Sequence, residues 1–144
     1  MKDIEVAKNF LYNENLSLCI VKDGKVLLKS SAKGISAFLN AIDKFGAKLA
    51  GASVADRIVG KALALLFIYV GIKAVYAQTL SLKAKMMLEK SKVTFEAAEL
   101  VDMVTSPEGG ACPFEMAVAE ISDPREAYVK IREIQNISKE ASKL

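Results

Sequence analysis

The sequence predicts an α/β domain of three layers, with a mixed sheet of four or five strands between helices on both faces. Three observations carry that reading. Residues 72–77, 81–91 and 93–97 read as strand, helix and strand, a crossover unit that makes its two strands parallel. Asp23-Gly24 lies between two β-rich runs, the pattern of a hairpin, and adds an antiparallel pair. Residues 54–70 have little polar surface beyond Arg57 and Lys61, as a helix buried nearly all round must.

The elements follow in chain order. Asp3 can cap a helix over 3–13 whose stripe is Ile4, Val6, Ala7, Phe10 and Leu11. The hairpin strands are expected at 16–22 and 25–30. Gly34 opens a helical pattern through Ile35, Phe38, Leu39 and Ile42 that ends near Gly46. Ser53 with Asp56 three residues on reads as a capping box for the buried helix, and Gly71 as the glycine that stops it. After the strand at 72–77, Ser81 can cap a helix carrying Leu82, Met86, Met87 and Leu88. Ser106-Pro107-Glu108-Gly109-Gly110 reads as a loop. Pro113 suits the first turn of a helix that has Cys112 before it and Glu115 in that turn. Asp123-Pro124-Arg125-Glu126 starts the last helix, with Tyr128, Ile131, Ile134, Ile137 and Ala141 on one side. There is no internal repeat, low-complexity tract or linker, so residues 1–144 are expected to form one domain.

Composition removes several chemistries. The 144 residues are 52% hydrophobic and 26% charged, an ordinary globular balance. Twenty basic against 17 acidic residues give +3, too weak and dispersed to argue for nucleic acid or a membrane surface as partner. Histidine is absent, which excludes Ser-His-Asp triads and the usual histidine-containing zinc sites. Two cysteines, Cys19 and Cys112, cannot supply a cysteine-rich metal site, so no metal and no cofactor are expected. The acids in Met1-Lys2-Asp3-Ile4-Glu5 do not suit a signal peptide. The longest uncharged run, Ala62 to Ile72, is 11 residues, whereas a membrane span needs roughly 20. The expectation is a cytoplasmic protein with reduced thiols.

Three stretches carry a resemblance. Asn15-Leu16-Ser17-Leu18 with Lys22-Asp23-Gly24-Lys25-Val26, then Gly51-Ala52-Ser53-Val54-Ala55-Asp56 with Gly60-Lys61-Ala62, then Cys112-Pro113-Phe114-Glu115 resemble an uncharacterised domain-of-unknown-function family with a cytidine-deaminase-like fold. The resemblance covers most of residues 14–118 and brings no established activity of the family. It implies the mechanism of the parent superfamily as a standard of comparison. There a His/Cys-Ala-Glu motif heads the buried helix and Pro-Cys-x-x-Cys heads the next. The bound zinc activates water for attack on the ring carbon that bears the amine. This chain departs from both motifs. Val54-Ala55-Asp56 takes the first place, and valine cannot ligate zinc. Lys83 and Met86 fall where thiolates are needed, and an ammonium repels a divalent cation. The alternative register, Pro107 to Cys112, rescues one sulfur only. The resemblance therefore implies the scaffold without deaminase chemistry, and a homo-oligomer, since such proteins often self-associate.

The candidate site residues are Gly51, Ser53, Asp56, Lys61, Cys112 and Glu115, each with a plainer role beside the functional one. Asp56 can orient a ligand amine or ribose hydroxyl, or only complete the capping box. Gly51-Ala52-Ser53, ahead of the expected helix, can offer N–H groups to a phosphate or simply allow close packing. Lys61 is a cleft cation or a stem lying along the core. Cys112, with Glu115 nearby, is the one nucleophile candidate. It lacks a histidine base, and free cysteines commonly just pack. The leading reading is a small-molecule binding domain for a nucleoside- or nucleotide-like ligand. The rivals are a metal-independent enzyme using Cys112, and an oligomerisation or partner-binding module.

Overall fold

The computed structural model describes residues 1–105 and 110–142. The elements run α1 (Asp3–Asn13), β1 (Leu18–Lys22), β2 (Lys25–Ser30), α2 (Ser36–Phe45), β3 (Ser53–Val59), α3 (Lys61–Val70), β4 (Ala74–Ser81), α4 (Leu82–Lys90), β5 (Thr94–Val101), α5 (Pro113–Ala117) and α6 (Pro124–Ser142). Among the described residues one sheet has the order β2-β1-β3-β4-β5. β1 is antiparallel to both its neighbours, and β3, β4 and β5 are mutually parallel. The mixed five-stranded α/β sheet is the expected one.

Local chemistry explains the elements that match their predicted places. Asp23 (φ 51°) and Gly24 (φ 78°) both adopt positive φ, the two-residue turn whose twist suits a hairpin. Ser81 Oγ accepts the Ala84 N–H at 3.1 Å, and Asp123 Oδ2 accepts the Glu126 N–H at 2.9 Å, so both caps form. Gly71, left-handed at φ 84°, ends α3. Asp3 does not cap α1. Its carboxylate takes the Asp23 and Gly24 N–H groups at 2.8 and 3.0 Å and so ties the helix to the hairpin.

One element differs in kind. Residues 53–59 are a strand, and the helix begins only at Lys61. β3 lies between β1 and β4 and its flanks are covered by helices, so its sequence is apolar without a clean alternation. Joined to the apolar α3, it imitates a single long helix. The Ser53–Asp56 capping box therefore does not exist, and Gly51-Ala52-Ser53 leads into a strand rather than a helix N-terminus. Downstream, β4 reaches Ser81 and β5 reaches Val101, each further than the apolar signal, because parallel pairing continues through Gln78-Thr79 and Glu99. The loop expected at 106–110 lies outside the described residues except for Gly110.

Two apolar clusters hold the layers together. The larger joins α2, α3, α4 and α6 to one face of the sheet through residues such as Phe38, Phe67, Leu66, Leu88 and Ile131. The smaller packs Ala7 and Leu11 of α1 on Cys19, Val21, Ala55 and Tyr76 of the other face. Arg57 secures that side. Its Nε donates to the Leu16 carbonyl at 2.8 Å and its Nη2 to the Leu11 carbonyl at 3.0 Å. On α6 the buried line is Ala127, Ile131 and Gln135, while Ile137 is exposed. No helix among the described residues is long and apolar enough to cross a membrane.

Candidate functional site

β3 and β4 each run almost directly into a helix, so the first turns of α3 and α4 lie side by side at the carboxyl end of the parallel strands. Open α/β sheets commonly bind ligands there. A cleft of about 360 Å³ lies at this edge. Lys61, Ser81 and Lys83 line it from the strand–helix junctions, and residues 102–105 and 110–119 close it from the other side with Thr105, Cys112, Glu115 and the thioethers of Met103 and Met116.

Lys61 is 6% exposed. Its ammonium donates to the carbonyls of Val118 (2.9 Å) and Ala119 (3.1 Å), just past α5. Burial pushes its pKa down and the Lys83 charge adds to that, while Glu115 and Glu120 oppose it. Glu115 reaches the other way. Its Oε1 accepts the Ala62 N–H at 3.0 Å, and the Lys61 N–H also donates to the carboxylate. An acid at a helix N-terminus is favoured by the unpaired N–H groups and the helix dipole. Even so, burial outweighs these contacts and the Lys61 and Lys83 charges, and it raises the Glu115 carboxyl above its ordinary range. Gly60 makes the contact possible, because a Cβ at that position would collide with Glu115 Oε1 and Val104 Cγ2.

Of the six residues expected from sequence, the fold brings three together: Lys61, Cys112 and Glu115. Cys112 is the partly exposed residue before α5. Gly51 and Ser53 lie at the opposite end of β3, about 20 Å away at the usual strand rise. Asp56 sits mid-strand opposite Leu18 and Ala77 and does not line the cleft. Dense protein around its carboxyl raises it to about 7, against the lowering effect of the Ile58 and Arg57 N–H groups. Tyr76, an aromatic near a strand end, is buried beneath α1 with its hydroxyl 2.5 Å from that of Tyr12. The sequence reading gave Gly60 no role in the site although Gly60-Lys61-Ala62 helps carry the resemblance, passed over Thr105, and treated Lys83 only as a missing ligand. Once β3 is a strand, Gly60-Lys61 and Ser81-Leu82-Lys83 become matching strand–helix junctions, each bringing a lysine into the cleft.

The donor set does not fit zinc. The head of the buried helix is Gly60-Lys61-Ala62, not Val54-Ala55-Asp56, and the head of the next is Ser81-Leu82-Lys83. Met86 lies further along α4, 62% exposed. Among the described residues no group of three or more histidine, cysteine or acidic side chains is placed to hold a metal ion. Cys112 shares the cleft with two lysines instead of further thiolates.

A family model described as a domain of unknown function, DUF1893, matches residues 6–135. A DUF1893 family protein from Thermotoga maritima is similar in structure, with a TM-score of 0.80 at 24% identity over 94% of this chain and 90% of that one. The apo dCMP deaminase of cyanophage S-TIM5 shares the fold more distantly, with a TM-score of 0.52 at 15% identity over 70% of this chain and 100% of that one. No curated protein matches the chain.

Proposed function

The chain belongs to the DUF1893 family, and from that premise we propose that it binds a small nucleoside- or nucleotide-like ligand in the cleft at the carboxyl ends of β3 and β4, without zinc-dependent deamination. One observation carries the reading. The cleft sits where two helix N-termini adjoin, yet Lys61 and Lys83 stand at its junctions in place of metal ligands. Lys83 is exposed at the cleft, where its ammonium can meet an anionic group. Met103 and Met116 supply soft apolar walls suited to a flat ring. The likeness in fold to a dCMP deaminase supports the nucleoside part by analogy. In this reading the whole chain acts as one domain, and it self-associates.

Isothermal titration with nucleosides and nucleoside monophosphates tests the proposal. Saturable binding that weakens in Lys83→Glu is the expected result. Heats indistinguishable from dilution for every compound, with the wild-type protein, would overturn it. Cys112 and Glu115 share the cleft, which favours a second reading, a metal-independent enzyme with Cys112 as nucleophile. Iodoacetamide labelling separates the two, since a thiol no more reactive than a model peptide removes the enzyme reading. Light scattering tests self-association, and a strict monomer would contradict it.

A further inference from the structure

The wall of the cleft that carries Cys112 and Glu115 is fastened differently at its two ends. α5 has five residues, none of them buried. One end of the segment is held by the bridge between Thr105 and Ala111, the other by Val118, which is fully buried. At Val118 and Ala119 the Lys61 ammonium takes two carbonyls and anchors the chain. Between these points α5 is drawn onto the body by the Glu115 carboxylate on the first N–H groups of α3 and by Phe114, which packs partly buried against the larger apolar cluster. Val118 and Lys61 thus form a pivot, and Glu115 forms a catch.

The catch occupies a seat kept free for it. Gly60 lies against Glu115 Oε1 with no room for a methyl group, so the body is shaped to receive that carboxylate. We propose that residues 112–117 are a strap over the cleft, seated by Phe114 on the core and latched by Glu115 on the head of α3 beside Gly60, and that withdrawal of the Glu115 side chain loosens it while the Lys61 anchor holds. This rests on the reading of the cleft as a ligand site and gives that site its means of entry. The groups facing Glu115 are Lys61 on α3 and Lys83 on α4. Burial works against the carboxylate there, while the N–H groups of Lys61 and Ala62 favour it.

Hydrogen–deuterium exchange on the full chain tests the strap without any ligand. In Glu115→Ala and in Gly60→Ala, peptides covering 60–63 and 112–117 should exchange about fivefold faster, the factor expected when one helix cap is lost, with the other peptides unchanged. Glu115→Gln keeps a carbonyl oxygen at the seat and should retain wild-type protection. Iodoacetamide should label Cys112 faster in the two opened variants, while Cys19, fully buried, serves as the unreactive control. Unchanged exchange in both opened variants would overturn the proposal. So would faster exchange in all peptides together, which would make Glu115 a plain structural cap. A strap that opens while no nucleoside or nucleotide binds would sink the ligand reading and leave the strap standing.

Discussion

The helices α3 and α4 begin alike, each at the end of a parallel strand, but their first turns are closed by different means. α4 is capped by Ser81, the residue immediately before it. α3 follows Gly60, which has no side chain to offer, and its N–H groups are taken by Glu115 from 53 positions along the chain. The first cap forms whenever α4 forms. The second exists only after α5 has docked, so it couples the head of a core helix to a surface segment. The comparison teaches that a helix end can be closed for stability or closed in a way that leaves it openable. In this protein the openable one faces the cleft.

The sharpest way to break the comparison is to remove the anchor. Lys61→Ala strands the buried Val118 carbonyl, removes the bond to exposed Ala119, and should cost about 3 kcal/mol in urea unfolding. A loss below about 1 kcal/mol would show that Lys61 is not the pivot. A second test uses an acid inside the fold that caps nothing. Asp56 is raised to about 7 by burial, so the folded chain holds its proton more tightly than the unfolded chain, where the ordinary value is about 4. That contribution to stability is full below pH about 4 and is lost as the pH rises through about 7. Asp56→Asn should therefore be more stable than wild type at pH 8, by about 2 kcal/mol after allowance for its partial exposure, and should flatten the pH profile of the unfolding midpoint.

Two smaller effects bear directly on the caps. Ser81→Ala should lower global stability by about 1 kcal/mol, because α4 packs in the core through Ala84 and Leu88. Glu115→Ala should lower it by a comparable amount, about 1 kcal/mol, because it frees N–H groups at the head of α3, but it should speed exchange locally at 60–63 and 112–117. Hydrogen exchange of the two variants side by side decides it, and the same pattern in both would erase the distinction drawn between the caps.

How much was legible in the sequence follows the same division. The hairpin at Asp23-Gly24, the cap at Ser81, the start at Asp123-Pro124 and the stop at Gly71 are each written in a few adjacent residues, and all occur as read. β3 was not legible. Val54, Ile58 and Val59 carry strand preference, but a strand covered on both faces shows no alternation, and the adjoining α3 absorbed it into a helical pattern. That single error displaced the expected site. It put Gly51, Ser53 and Asp56 at a helix head that does not exist, while Lys61, Cys112 and Glu115 do line one cleft.

By itself the sequence determined the mixed α/β layering, the caps at Ser81 and Asp123 and the absence of histidine, because these depend on neighbouring residues or on composition alone. Tertiary structure alone decided that Glu115 closes α3, that Lys61 anchors the chain beyond α5, and that Lys83 shares their cleft. The physical reason is that a hydrogen bond between distant segments leaves no periodic trace in the chain. It is specified by the packing that brings a bare Gly60 under a carboxylate, and that packing belongs to the whole fold.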